Sequence, residues 1–330
     1  MDTRERETLA RLRQMREQLT LRHAVQEKLI AFEHELCNNN RFFPHTDILE
    51  WVDAIAPMLQ RTLPAGSLLY RGRIIPKADE DRFLAPVYNA LGVFLQDEEG
   101  DLGHTRFAEA YVQQEIDRLE SGSGMLDFST FKSKLEAFRV KGWWGYSKQE
   151  SDAAPSDATG NGRINPMGIS YLYASNRKET AALEARPHIS QMVSIAEVVT
   201  SEDLTLFDLT RNVFDDDDSP DEEKRMFRKL LAHYFSKPNY SGDQAYLVTQ
   251  YISEYVKSNI QNTTGLHFDG LCFSSSLDRQ GTNYVIFDTA SPKYEIVASS
   301  LEKVVNMQGT LATYLPLGDA GITALMDGSF

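Results

Sequence analysis

Gly162-Arg163-Ile164-Asn165-Pro166-Met167-Gly168-Ile169-Ser170-Tyr171-Leu172-Tyr173-Ala174-Ser175-Asn176-Arg177-Lys178-Glu179-Thr180-Ala181-Ala182-Leu183-Glu184 decides how this chain folds. Its opening, two glycines bracketing Asn-Pro, reads as a turn, because proline presets φ and glycine tolerates conformations closed to other residues. Ser170–Ala174 is short, aromatic and apolar and reads as a strand. Asn176 to about Arg186 reads as a helix ended by Pro187. Turn, strand and helix thus follow without a spacer. Their spacing ties one arginine, one tyrosine and one glutamate to three successive elements.

Outward from this block, helices and strands alternate irregularly. Upstream, Ser67–Arg71 reads as a strand that ends on Arg71, after a linker at Pro64-Ala65-Gly66. Downstream, 191–199, 204–209, 270–274 and 284–288 read as strands, and 222–235 and 244–259 as helices. A long helix over 4–36 carries Leu9, Leu12, Leu19, Leu29, Phe32 and Leu36 at helical spacing; a second, capped by Thr46 or Asp47, runs to about Gln60. The expected organisation is an N-terminal helical module at 1–64, a mixed α/β domain at 65–300 with a largely helical insertion at about 76–160, and a tail at 301–330. Within the insertion, 104–120 and 127–140 read as helices and 151–160 as a polar loop; 214–221 reads as an acidic loop.

Composition bounds the function. Hydrophobic residues make up 42% and charged residues 25%, enough to bury a sizeable core. A net charge of -14 disfavours broad nucleic-acid binding and docking on anionic membranes, both of which need a positive face. Cys37 and Cys272 are far apart, so two reduced thiols are expected and not a disulfide scaffold or a cysteine-rich zinc site. The N-terminus is charged throughout, with no apolar core of a signal peptide, and no run is apolar enough to span a membrane. A cytoplasmic location is expected.

Three further pieces join the opening block: Leu69-Tyr70-Arg71-Gly72-Arg73; Asp269-Gly270-Leu271-Cys272-Phe273-Ser274-Ser275-Ser276; and Gly281-Thr282-Asn283-Tyr284-Val285-Ile286-Phe287. In order and content these resemble the blocks of the RES-domain family, named for an arginine, a glutamate and a serine. The helix carrying Tyr246, Thr249 and Gln250 also resembles the family, and the resemblance covers about 64–290. The N-terminal helices resemble, more weakly, the HEPN-like extension of some members.

The resemblance implies an α+β fold like that of ADP-ribosyltransferases, a small twisted mixed sheet with flanking helices, and activity on NAD+ as substrate without a metal. It places Glu184 at the family glutamate, where a carboxylate would stabilise the oxocarbenium-like ribose formed as nicotinamide leaves. Arg71 and Arg163 match the family arginines and would hold the diphosphate, Arg71 also lying close to the chemistry; Arg73 is the alternative. Tyr173 would stack on nicotinamide or bond the ribose. Ser275, with Ser274 and Ser276 as one-residue alternatives, would bond substrate. Arg71, Glu184 and Ser275 are thus the expected catalytic set, and Arg71, Arg163, Tyr173 and Ser275 the NAD+-binding set. Members commonly act as toxins of bacterial toxin–antitoxin pairs, which makes an antitoxin an expected partner beside a homo-oligomer.

Bland readings exist for each residue alone: an ion-paired arginine, a solvated helical glutamate, a core tyrosine, a serine turn. Competing functions are ADP-ribosylation of a protein, an RNase of HEPN type, and a partner-binding scaffold without activity. The RNase needs an Arg and a His with four to six residues between them on a helix; Arg41 and His45 have only three between, one of them Pro44. Redox use of NAD+ is disfavoured because no G-x-G-x-x-G follows a strand.

Overall fold

The computed structural model describes residues 3–85, 133, 142–210, 221–236, 246–262 and 265–306. The helices expected at 104–120 and 127–140 and most of the acidic loop lie outside the described residues.

The chain forms α1 (Thr3–His34), α2 (Ile48–Ile55), β1 (Gln60–Leu63), β2 (Leu68–Ile74), β3 (Leu172–Ser175), α3 (Lys178–Glu184), β4 (Met192–Thr200), β5 (Leu204–Leu209), α4 (Glu222–Ser236), α5 (Leu247–Ser258), β6 (Gly270–Ser274), β7 (Thr282–Ile286) and β8 (Tyr294–Lys303). The expected α+β architecture is present. Among the described residues eight strands make one mixed sheet in the order β1-β5-β6-β7-β3-β2-β4-β8. Only β5 and β6 run parallel; the other neighbours are antiparallel.

The sheet is nearly divided in two. Strands β2 and β3 meet at one pair, Tyr70 opposite Ser175. By contrast β2 pairs with β4 along its whole length, from Leu68–Val199 to Ile74–Val193. This thinly sewn seam runs beside the residues of the opening block.

Alternation along the strands gives the sheet two faces. One carries Phe207, Leu271, Phe273, Val285 and Phe287, which share a core with Val25, Leu29 and Phe32 of α1, Val52 of α2, Phe227 of α4 and Ile252 of α5. The other carries Leu69, Leu172, Ala196, Val198, Cys272, Tyr284 and Ile296. The helices before residue 64 therefore bury apolar residues in the same core as the sheet, and β1, which begins where the second helix was expected to end, pairs with β5. The apolar stripe expected along α1 divides in two. Leu29, Phe32 and Leu36 are buried, whereas Leu9, Leu12 and Leu19 are 37%, 53% and 44% exposed. Strand β8, unanticipated because its Tyr294-Glu295-Ile296 alternation is brief, extends the sheet beyond β4.

Candidate active site

Glycine 72 explains how α3 comes to lie on the sheet. A Cβ there would stand 2.2 Å from the Ala181 carbonyl oxygen, so only glycine lets the strand and the helix approach this closely. The Gly72 face of β2 thus meets α3, and Glu184 is the last residue of that helix.

The β6–β7 loop approaches α3 from the other side. Thr180 donates to the Asp278 carboxylate at 2.5 Å, and Arg177 Nε stands 3.5 Å from the same carboxylate. Burial works against the charged form of Asp278, yet the Thr180 and backbone donors and Arg177 outweigh it and hold its pKa below the ordinary value. So latched, the loop delivers Ser275. The Ser275 hydroxyl donates to Glu184 Oε1 at 2.7 Å and accepts from the backbone N–H groups of Leu277 and Asp278 at 3.1 and 3.2 Å. Of the three adjacent serines, 275 is the one that meets the glutamate; Ser274 ends β6 and Ser276 is exposed.

A second donor reaches the same oxygen: Asn283 Nδ2, at 2.6 Å. Asn283 Oδ1 in turn accepts from Ser175 at 2.8 Å, its cross-strand partner in the β3–β7 ladder. Asn283 belongs to the Gly281–Phe287 block, in which no role was expected of it. The available signal was a polar amide inside an otherwise apolar strand, since a buried amide needs partners.

The turn at 162–168 is held from behind by α5. Gln250 donates to the carbonyls of Gly162 and Asn165 at 2.6 and 3.1 Å, and Thr249 to that of Arg163 at 2.5 Å. Gly168 takes φ +83°, open to glycine. Tyr173 braces the turn from the strand: its hydroxyl donates to Asn165 Oδ1 at 2.7 Å and accepts from Ile164 N–H at 3.2 Å. Burial pushes this phenol well above its usual range, so it stays protonated. The Tyr173 hydroxyl, expected to face substrate, is thus engaged by the turn. Tyr171, on the same face, bonds Glu254, and its ring centroid lies 5.0 Å from that of Phe287 with the two rings tilted by 55°.

The two arginines lie on different sides. Arg163 donates to the Phe235 carbonyl at 2.6 Å and sits 5.7 Å over the Phe273 ring. Burial lowers its pKa, and Glu184 is the largest opposing influence. Arg71 occupies the middle of β2, not its end. With Gly72 turned toward α3, Arg71 and Arg73 leave the strand on the opposite side. The Arg71 guanidinium reaches across the seam to the Tyr173 carbonyl at 3.0 Å. Burial, aided by repulsion from Arg73, pulls its pKa down to about 10, which leaves it cationic at neutral pH. Arg73 donates to the Glu150 carbonyl and lies 5.2 Å over the Tyr146 ring. The structure thus joins Glu184 to Ser275 and brings Arg163 into their electrostatic neighbourhood, while Arg71 stands at the seam.

Behind the turn a hollow of ≈ 630 Å³ is lined by Arg41, Phe42, Met167, Gln250 and Tyr251, among others; Glu184 and Ser275 are not in its wall. Among the described residues no group of three His, Cys, Asp or Glu side chains is placed to hold a metal ion, and no helix is long and apolar enough to cross a membrane. Cys37 and Cys272 are free thiols.

The family model of the RES domain matches residues 137–304, just over half of the chain. That span holds the turn, Tyr173, Glu184, Ser275 and Asn283, and begins after β2 and Arg71. No curated protein and no solved structure matches the chain. With half of its length under that one model, the chain belongs to the RES-domain family.

Proposed function

We propose that this protein cleaves the nicotinamide–ribose bond of NAD+, with Glu184 as the catalytic carboxylate. The observation that carries the reading is the hold on Glu184: two donors converge on Oε1, and among the described residues no hydrogen bond goes to Oε2. A carboxylate with one oxygen fixed and one available suits a cation that develops only as a bond breaks.

The C1'–N bond breaks with its electron pair passing to the pyridinium ring, so nicotinamide departs neutral. The ribose becomes oxocarbenium-like beside Glu184. An acceptor oxygen then bonds C1'. If it is water, Glu184 takes its proton and the product is ADP-ribose; if it is phosphate, the product is the 1''-phosphate.

The arginines support an anionic substrate. Arg71 and Arg163 each have a buried Nε without a hydrogen-bond partner, and neither forms an ion pair among the described residues. Unpaired buried cations are costly, and a diphosphate would supply the missing charge. The diphosphate lies several bonds from the reacting carbon, so neither arginine needs to touch Glu184. In a cell the activity would deplete NAD+ and arrest growth, as a toxin or defence effector restrained by an antitoxin that covers the site.

Incubation of the purified protein with NAD+, with and without phosphate, followed by mass analysis, tests this. Release of free nicotinamide is expected, with loss of about 100-fold or more in Glu184→Gln. A folded wild-type protein that releases none refutes the reading. Phosphate dependence separates phosphorolysis from hydrolysis, and label transferred to protein identifies ADP-ribosylation.

A further inference from the structure

Glu184 ends α3, where its side chain retains freedom about every χ angle unless contacts remove it. A single hydrogen bond from Ser275 leaves the carboxylate free to swing about that contact. The second bond, from Asn283 on another strand, removes the swing, because two donors from separate elements onto one oxygen fix the plane of the group. The amide could present either end to the carboxylate, since its O and N are alike in shape. Only Nδ2 can donate. Ser175 and Asn283 are 3% and 5% exposed, so water does not compete for either. The Ser175 hydroxyl, donating at 2.8 Å to Oδ1, satisfies the far end of the amide in the orientation that turns Nδ2 toward Glu184.

We propose that Asn283, oriented by Ser175, is a positioning residue that fixes Oε1 of Glu184 and so turns Oε2 toward the substrate. Its chemical purpose rests on the proposed NAD+ cleavage; the orientation itself does not. Asn283 touches no reacting atom. Its effect belongs in kcat, through the alignment of the carboxylate, and not in the binding of NAD+.

Two measurements decide it. In the first, steady-state kinetics compare Asn283→Ala with Asn283→Asp. Truncation to Ala should lower kcat about 10-fold or more at unchanged KM. The Asp variant has almost the same shape but sets a second carboxylate against the first, and should be worse than Ala. A residue that only filled space would give the reverse order, so an Asp variant as active as wild type, or better than Ala, overturns the proposal. In the second, 1H–15N spectra of the resting protein follow the Asn283 side-chain amide. One of its protons should resonate downfield and shift upfield in Glu184→Gln, with Ser175→Ala broadening the pair. An Asn283 signal indifferent to Glu184→Gln overturns the proposal even if the wild type proves inactive on NAD+. Loss of NAD+ cleavage by itself would refute only the proposed function.

Discussion

Arg71 and Arg163 are costly to keep as they are. Each is a half-buried side chain whose Nε is buried and unpaired, in a chain whose 48 acidic residues outnumber its 34 basic ones. Carboxylates are plentiful, yet none is paired with either arginine among the described residues. Glu184 opposes the burial of Arg163 and Asp152 that of Arg71 without forming an ion pair, so each cation keeps part of its burial cost until an anion arrives. Arg71→Met, which keeps the volume of the stem, should therefore leave the melting temperature of the free protein unchanged or raise it. The same variant should lose most of the stabilisation that NAD+ gives the wild type, since a ligand stabilises only the state it binds. Thermal denaturation with and without NAD+ measures both. A variant that melts lower when free and still gains the full shift would show that Arg71 is a structural ion partner.

At the scale of elements, the site depends on three approaches: α3 onto β2, the β6–β7 loop onto α3, and α5 onto the turn. The first rests on Gly72, with no room for a Cβ beside Ala181. Gly72→Ala must push α3 away from β2, and α3 carries Glu184. Overpacking of this kind costs about 1–3 kcal/mol. The displacement should also lower turnover further than the stability loss explains, because a carboxylate moved by about 1 Å can lose on the order of 100-fold in rate. Denaturant unfolding and kinetics at a temperature where the variant is fully folded separate the two effects. Wild-type turnover in that variant would mean that α3 tolerates the shift and that Gly72 serves packing alone.

For the whole molecule, the N-terminal helices and the sheet share one core. Phe32 of α1 is 1% exposed in the same cluster as Phe207 and Phe273 of the sheet. Phe32→Ala should cost about 3–5 kcal/mol, and the loss should appear in the sheet as well as the helices. Trp51 on α2, packed at 5.3 Å on Phe227 of α4, and Trp143, bridged to Ser299 of β8, report the two regions. Their unfolding transitions should coincide and shift together in Phe32→Ala. Two separate transitions, with only that of Trp51 moved, would show that the helices form an independent unit.

The sequence by itself determined most of the elements and the order of the chemical residues. Short apolar runs marked β5 and β6 to their observed ends, and glycine, proline and asparagine marked the turn before β3. These signals are local: they depend on neighbours within a few positions, which the chain carries with it. Pairing of Ser275, not Ser274 or Ser276, with Glu184 depended on the latch between Asp278 and Thr180, residues 98 positions apart. The side of the sheet on which Arg71 lies followed from a glycine that had to face α3. The hold of Asn283 on Glu184 required β7 to lie beside β3 with Ser175 opposite. Such facts belong to tertiary structure alone, because a hydrogen bond between distant residues is fixed by strand register and helix placement, and these are set by burial across the whole core.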